Sequence, residues 1–254
     1  MLATILLSLL AVAPCGQEGD AQAITSLTDM EGRPLADGRY SQEVKGGVLH
    51  IEARYDFPDG RTVVERAALR LLPQIVQESW DWTERKGDEL IRSYEVDLRT
   101  RKAMATRMDE HKRWKEEVDV EPGKTFAGIG FVTAIKALRA QLAPGSKVEL
   151  KAVAFTPKPR TVTVSVTRDG LTPVAMAGRT IRGDRYTIHA EIPAIARLFV
   201  TAPDQHVWLF GDGPAAFLRY QGPLMEPKDP IVSVDLIPAA RANAQGRSGP
   251  RPKR

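Results

Sequence analysis

Histidine, serine, cysteine and paired carboxylates are the side chains that could carry a reaction in this 254-residue chain. Its histidines are His50, His111, His189 and His206. None stands two, three or four residues from another and no HExxH occurs, so no local zinc-binding pair is written. His50 and His189 fall on the polar side of alternating segments, where a solvated imidazole is expected. No serine sits in a GxSxG elbow. Gly128-Ile129-Gly130 precedes a helical pattern but lacks the third glycine and the Lys-Ser/Thr pair of phosphate-binding loops. Two glycines easing the chain into a packed helix are the plainer reading. Glu52, Asp56, Glu95, Asp97 and Asp109 are interleaved with Arg54, Arg92, Arg99 and Arg107. Catalytic acid pairs need opposed environments, whereas this interleaving reads as cross-strand charge ladders. No catalytic residue, metal ligand or cofactor is assigned; a hydrolase site assembled across strands stays as the minor alternative.

The elements that would have to position any site are strands. In VLHIEARYDF, Leu49, Ile51, Ala53, Tyr55 and Phe57 share one face and His50, Glu52, Arg54 and Asp56 the other. That is a strand with one dry and one wet side. Phe57-Pro58-Asp59-Gly60 is a turn, and RTVVERAALRLL is its partner strand. Val76, Trp80 and Trp82 are expected on one side of the next strand, and Tyr94, Val96 and Leu98 on one side of the strand after it. The charged stretch from Ala103 to Val120 fits a single strand only if it bends or bulges. One helix is expected at about 128–143, with Phe131, Val132, Ile135, Leu138 and Leu142 on one stripe and Pro144-Gly145 as its stop. Strands then resume through TVTVSVT, RYTIHAEI, ARLFV, HVWLF, FLRY and IVSVDLI. HVWLF and FLRY flank Gly211-Asp212-Gly213-Pro214, which is turn chemistry between the strands of a hairpin. The fold class is mainly β: an antiparallel meander of eleven or twelve strands forming a strongly curved sheet or incomplete barrel, with one amphipathic helix packed on it.

The ends of the chain differ from its body. Leu2 to Pro14 is almost wholly apolar, too short for the roughly 20 residues of a membrane span, and fits a secretory leader. Ala21-Gln22-Ala23 supplies a small-x-small cleavage signal. The expected layout is a signal peptide over 1–23, a polar lead-in over 24–46, a single β-rich domain over 47–238 and a disordered basic tail over 239–254. Cys15, the only cysteine, is read as leaving with the leader, and lipidation there is the alternative. The mature chain then has no disulfide, which with export points to a periplasm or cell surface. Losing the two leader acids, Glu18 and Asp20, takes the formal charge from +4 to +6, and the five basic residues of the tail leave +1 for the body. Nucleic acid is therefore not an expected partner, while the tail suits contact with an anionic envelope surface.

The order of features from Lys147 to Pro238 resembles a known family. A strand pair is followed by AGRTIRGDRYTIH, then HVWLF, then FLRYQGPL, and Asp97-Leu98-Arg99-Thr100 is similar to a D-x-x-T turn. Together they resemble the uncharacterised proteobacterial envelope proteins of domain-of-unknown-function family 3108, over most of Val48 to Pro238. The charged segment from Arg107 to Asp119 and the basic tail lie outside the resemblance. It implies an exported β-rich domain, distantly like the curved-sheet lipoprotein carriers, and no catalytic residue.

These readings converge on an exported, non-catalytic protein that binds or chaperones a hydrophobic or amphiphilic envelope component, such as a lipid or glycan. An interaction module of an envelope assembly, recruiting a protein partner along a strand edge, is the alternative. The groove-lining candidates are Trp80, Trp82, Trp208, Tyr220 and Arg219.

Overall fold

The computed structural model describes residues 18–176, 178–191, 202–212 and 215–238. The N-terminal side supplies β1 (Ala21–Thr28), β2 (Pro34–Lys45), β3 (Val48–Asp56), β4 (Arg61–Arg70), β5 (Val76–Lys86), β6 (Glu89–Asp97), β7 (Lys102–Arg107) and β8 (Lys112–Glu117). A short β9 (Thr125–Phe126) and the helix α1 (Gly130–Leu138) follow. The rest is β10 (Lys147–Phe155), β11 (Pro159–Met176), β12 (Arg179–Ala190), β13 (Gln205–Phe210), β14 (Phe217–Pro223) and β15 (Ile231–Pro238). All fifteen join one sheet in the order β8-β7-β6-β5-β4-β3-β2-β1-β15-β14-β13-β12-β11-β10-β9. β9 runs parallel to β10, and two antiparallel meanders, β1–β8 and β10–β15, meet where β1 pairs with β15, Ala23 opposite Pro238 and Thr28 opposite Ser233. The sheet curls until its ends approach. Thr161 on β11 donates to the Asp119 carbonyl beyond β8 at 2.8 Å, and Lys158 reaches Glu116 of β8 at 3.9 Å. This is the curved, mainly β architecture with one helix that the alternation predicts.

The β3–β4 hairpin shows why the pattern works. Leu49, Ile51, Ala53 and Tyr55 are buried on the inner face, and Gly60, at φ +83°, closes the turn by donating to the Phe57 carbonyl at 3.1 Å. In β13, Val207 and Leu209 face the main core, while Trp208 and Phe210 pack from the other side with Val174, Met176 and Leu218.

Four expectations are corrected in detail. The strand count is higher, because the lead-in over 24–46 forms most of β1 and β2. Its inward set includes Thr25, Ala36 and Gly38, too small or polar to show as an apolar alternation. Gly38 is required there, since a Cβ would fall 1.9 Å from Thr25 Oγ1 and 2.9 Å from the Tyr55 ring. The 103–120 stretch is a hairpin, β7 against β8, and not a bent strand; His111, at φ +51°, sits in its turn. Val76 does not share a face with Trp80. A bulge at Ala68/Leu69 shifts the register so that Gln77 turns inward instead. The helix is shorter than 128–143, Gly130–Leu138, and is packed on the sheet as expected, with Phe131, Thr133, Ala134, Ile135, Ala137 and Leu138 all buried. Its C-terminal end is held by Arg168, which donates to the carbonyl of the cap residue Arg139 at 3.3 Å and of Leu142 in the following turn at 2.6 Å, and pairs with the fully buried Asp184 at 2.8 Å. A cation there satisfies carbonyls that the last turn leaves without partners. ARLFV (196–200), Cys15, the leader through residue 17 and the tail from 239 lie outside the described residues.

Candidate functional site: an interior cavity

Within the curl lies a partly open cavity of about 240 Å³. Its wall is drawn from strands of both meanders, from α1 and from the segment between β14 and β15. This follows from the period-two alternation. Every second residue of each strand points inward, and α1 fills only part of the space. Trp80, Phe155, Tyr94 and Trp82 form a row on one side, with neighbouring ring centroids 5.1–5.6 Å apart at tilted angles. Trp80, Trp82 and Phe155 line the cavity, and Tyr94 stands behind them.

Three of the candidates read from sequence, Trp80, Trp82 and Tyr220, come together on this wall. Trp208 and Arg219 do not. Trp208 belongs to the separate cluster with Val174, Met176 and Leu218, and its indole donates to Thr172 Oγ1 at 3.0 Å. Arg219 is held by Asp235, at 2.5 and 2.8 Å, and by the Ala175 carbonyl. A strand sends neighbouring residues to opposite faces, so Tyr220 on the cavity places Arg219 away from it.

Sequence reasoning missed the most informative residue, Glu65. It lies on β4 in the inward register between Val63 and Ala67, and it lines the cavity. Glu65 Oε1 accepts from the Trp80 indole and from the Ile129 amide, each at 2.7 Å. Its carboxyl therefore ties β5 to the N-terminal entrance of α1. No basic side chain pairs with it among the described residues. Burial pushes its pKa up, against the lowering effect of the two donors, and Asp81 adds to the rise. Burial likewise raises Tyr55 and Tyr220, with Glu65 contributing to both, so their hydroxyls stay protonated. A carboxylate in an otherwise apolar strand register was the available signal.

The wall also carries a cation, Lys136 of α1, closed by Glu18 at 2.8 Å, with side-chain exposures of 11% and 4%. Glu18 also accepts from Gln42, and the Asp20 carboxylate accepts from the Val44 amide. Residues 18–23 thus belong to the folded body, although the small-x-small signal places them in the leader. A chain starting at Ile24 loses Glu18 and the first three residues of β1 and strands Lys136. It is expected to be about 3 kcal/mol less stable than one starting at Glu18, the scale for breaking a largely buried pair. Urea unfolding of the two purified chains checks this; equal midpoints would make the segment dispensable.

The histidines do not assemble a reaction centre. His189 pairs with Asp204 at 2.7 Å, both well exposed. His206 receives the Arg185 guanidinium at 3.1 Å and touches Thr187, but the Thr187 hydroxyl donates to Asp169 at 2.7 Å. The carboxylate thus meets the hydroxyl and does not orient the ring, the reverse of a nucleophilic triad. Burial, and then Arg185, lower the His206 pKa. Among the described residues, no three His, Cys, Asp or Glu side chains stand together as a metal site, and no helix is long and apolar enough to cross a membrane.

No protein-family model matches the chain, family 3108 included, and no curated protein matches it. Solved structures do resemble it. A β-barrel-like protein of the domain of unknown function DUF1849 from Brucella abortus aligns at 11% identity and TM-score 0.47, covering 87% of this chain and 97% of its own. The hypothetical lipoprotein YmcC from Escherichia coli (K12) aligns at 10% identity and TM-score 0.38, covering 91% and 85%. A DUF1089 family protein from Pseudomonas aeruginosa aligns at 13% identity and TM-score 0.40, covering 74% and 90%.

Proposed function

We propose that this chain is an exported, non-catalytic binding protein of the cell envelope that holds a hydrophobic or amphiphilic molecule in its interior cavity. The cavity carries the reading. It is walled by aromatic and aliphatic side chains with a few polar groups, the usual composition of a small-molecule site, and its volume of about 240 Å³ suits a single short chain or ring system. The apolar leader segment, Leu2 to Pro14, supports the envelope location. Recruitment of a protein along a strand edge is the weaker reading. The outer edge strand β8, Lys112–Glu117, is charged at nearly every position, a pattern that resists strand addition. Contact of the basic tail with an anionic surface stays part of the proposal.

Native mass spectrometry of protein taken gently from an envelope extract tests the reading. A bound mass in the lipid or glycan range, displaced by a short-chain amphiphile, is the expected result. Bare protein, together with no uptake of lipid or glycan probes by the purified chain, would overturn it.

A further inference from the structure

The polar groups of the cavity narrow the class of ligand, and this inference rests on the cavity being a binding site. Both protein donors to Glu65 land on the same oxygen, Oε1. Oε2 has no hydrogen bond among the described residues, although the residue lines the cavity. The groups that face Glu65 are Trp80 from β5, Tyr55 from β3, Tyr220 from β14 and the Ile129 amide before α1. None is a cation. The cation of the wall, Lys136, is held by Glu18, which also stands near Tyr40 of β2. The Tyr220 hydroxyl is engaged by the Pro223 carbonyl at 3.1 Å.

We propose that Glu65 is the polar anchor of the cavity, turning its second carboxyl oxygen inward as an O–H donor to an uncharged acceptor, an ester or amide carbonyl, on a bound amphiphile. A neutral acid fits this arrangement atom by atom: its carbonyl oxygen takes the Trp80 and Ile129 donors, and its hydroxyl is left for the ligand. An anionic head would meet Glu65 with Lys136 already held by Glu18. An ammonium head would require the carboxyl to lose its proton and two charges to lose their water, which desolvation makes costly.

The change in tryptophan emission on titration with three decyl probes tests this: methyl decanoate, decanoate and decyltrimethylammonium. At pH 6 the ester is expected to bind tightest. Its affinity should hold at low pH and fall about tenfold as pH rises through the raised Glu65 pKa, the scale of losing one buried hydrogen bond. The sign follows from linkage: the ligand binds the protonated form, and ionisation removes the donor. The tyrosines are pushed upward and the ester does not titrate, so the profile reports the carboxyl. Glu65→Gln, whose amide copies the neutral acid and cannot ionise, is expected to flatten that profile and raise ester affinity at high pH. Tighter binding of the ammonium probe, with loss of that binding in Glu65→Gln, would overturn the proposal in favour of a cation site. Tighter binding of decanoate would assign the anchor to Lys136. Equal binding of all three would leave the cavity reading standing and remove the anchor, whereas no binding of any probe would remove both.

Discussion

Gly128→Ala is expected to destabilise the fold by roughly 2–5 kcal/mol, far more than an alanine at an ordinary turn glycine. Gly128 has φ +47°, a region that costs a residue with a Cβ about 1–2 kcal/mol. The added Cβ would also fall 2.0 Å from the Trp80 indole nitrogen and 2.2 Å from Glu65 Oε1. Neither can retreat cheaply, because they hold each other at 2.7 Å and Glu65 also holds the Ile129 amide. Overpacking of this kind costs about 1–3 kcal/mol. Gly145 is the control: its φ is +81°, but a Cβ added there would meet nothing within 4 Å. Gly145→Ala is expected to cost only the backbone share, about 1–2 kcal/mol. Urea denaturation of the two variants separates the effects, and equal losses would mean that the contact with Trp80 and Glu65 does not matter. Gly128→Ala should also weaken binding of any cavity ligand, since it pushes on the carboxyl that faces the interior.

Gly128 also marks where the sequence was legible and where it was not. The Gly128-Ile129-Gly130 pattern reads from sequence as two glycines easing entry into a packed helix. The structure gives the reason: Gly128 makes room for Glu65 and Trp80, and Gly130 makes room for the Gln77 side chain, 2.3 Å from a Cβ there. Those partners lie tens of residues away along the chain, so no local pattern could name them. The same division runs through the fold. Strands such as β3, with large apolar residues at every second position, are readable because burial selects them. β1 and β2 were not, because Thr25, Ala36 and Gly38 face a crowded interior and carry little hydrophobic signal. The aromatic candidates divided for a related reason. Trp80, Trp82 and Trp208 look alike in sequence, but the meander carries Trp208 to the opposite face of β13, where it closes a small cluster of its own.

Arg92→Ala is expected to cost about 3–5 kcal/mol and to loosen the wall of the cavity, the scale for removing one partner of a buried ion pair. Arg92 lies on β6 with its side chain 12% exposed, between Glu84 Oε2 at 2.7 Å and Asp229 at 2.9 Å, with its guanidinium 4.9 Å from the Trp82 ring centroid. Burial opposes its charge, but Asp229 and Glu84 more than offset it, so its pKa is raised and it stays a cation throughout. Removing it leaves Asp229 without its partner and Glu84 with Arg61 alone, and stranding a buried carboxylate is the costly way to break such a pair. Asp229 sits in the segment between β14 and β15, whose Leu224 and Met225 line the cavity. Glu226 in the same segment is tied to Tyr94 and to Arg107, and its amide donates to Asp229. These contacts fasten a cavity wall from one meander to the strands of the other. Arg66→Ala is the comparison. Arg66 pairs with Glu52 at 2.7 Å but both are about half exposed, so the loss should be about 0.2–1 kcal/mol. Arg92→Lys should recover only part of the loss, because a single ammonium cannot fork between two carboxylates. Urea midpoints give the ranking, and amide exchange at Leu224, which bonds the Pro230 carbonyl at 3.1 Å, reports whether the segment has come loose. If Arg92→Ala and Arg66→Ala cost the same and Leu224 stays protected, the ion pairs do not hold the wall, and packing of Leu224 and Met225 alone must keep it in place.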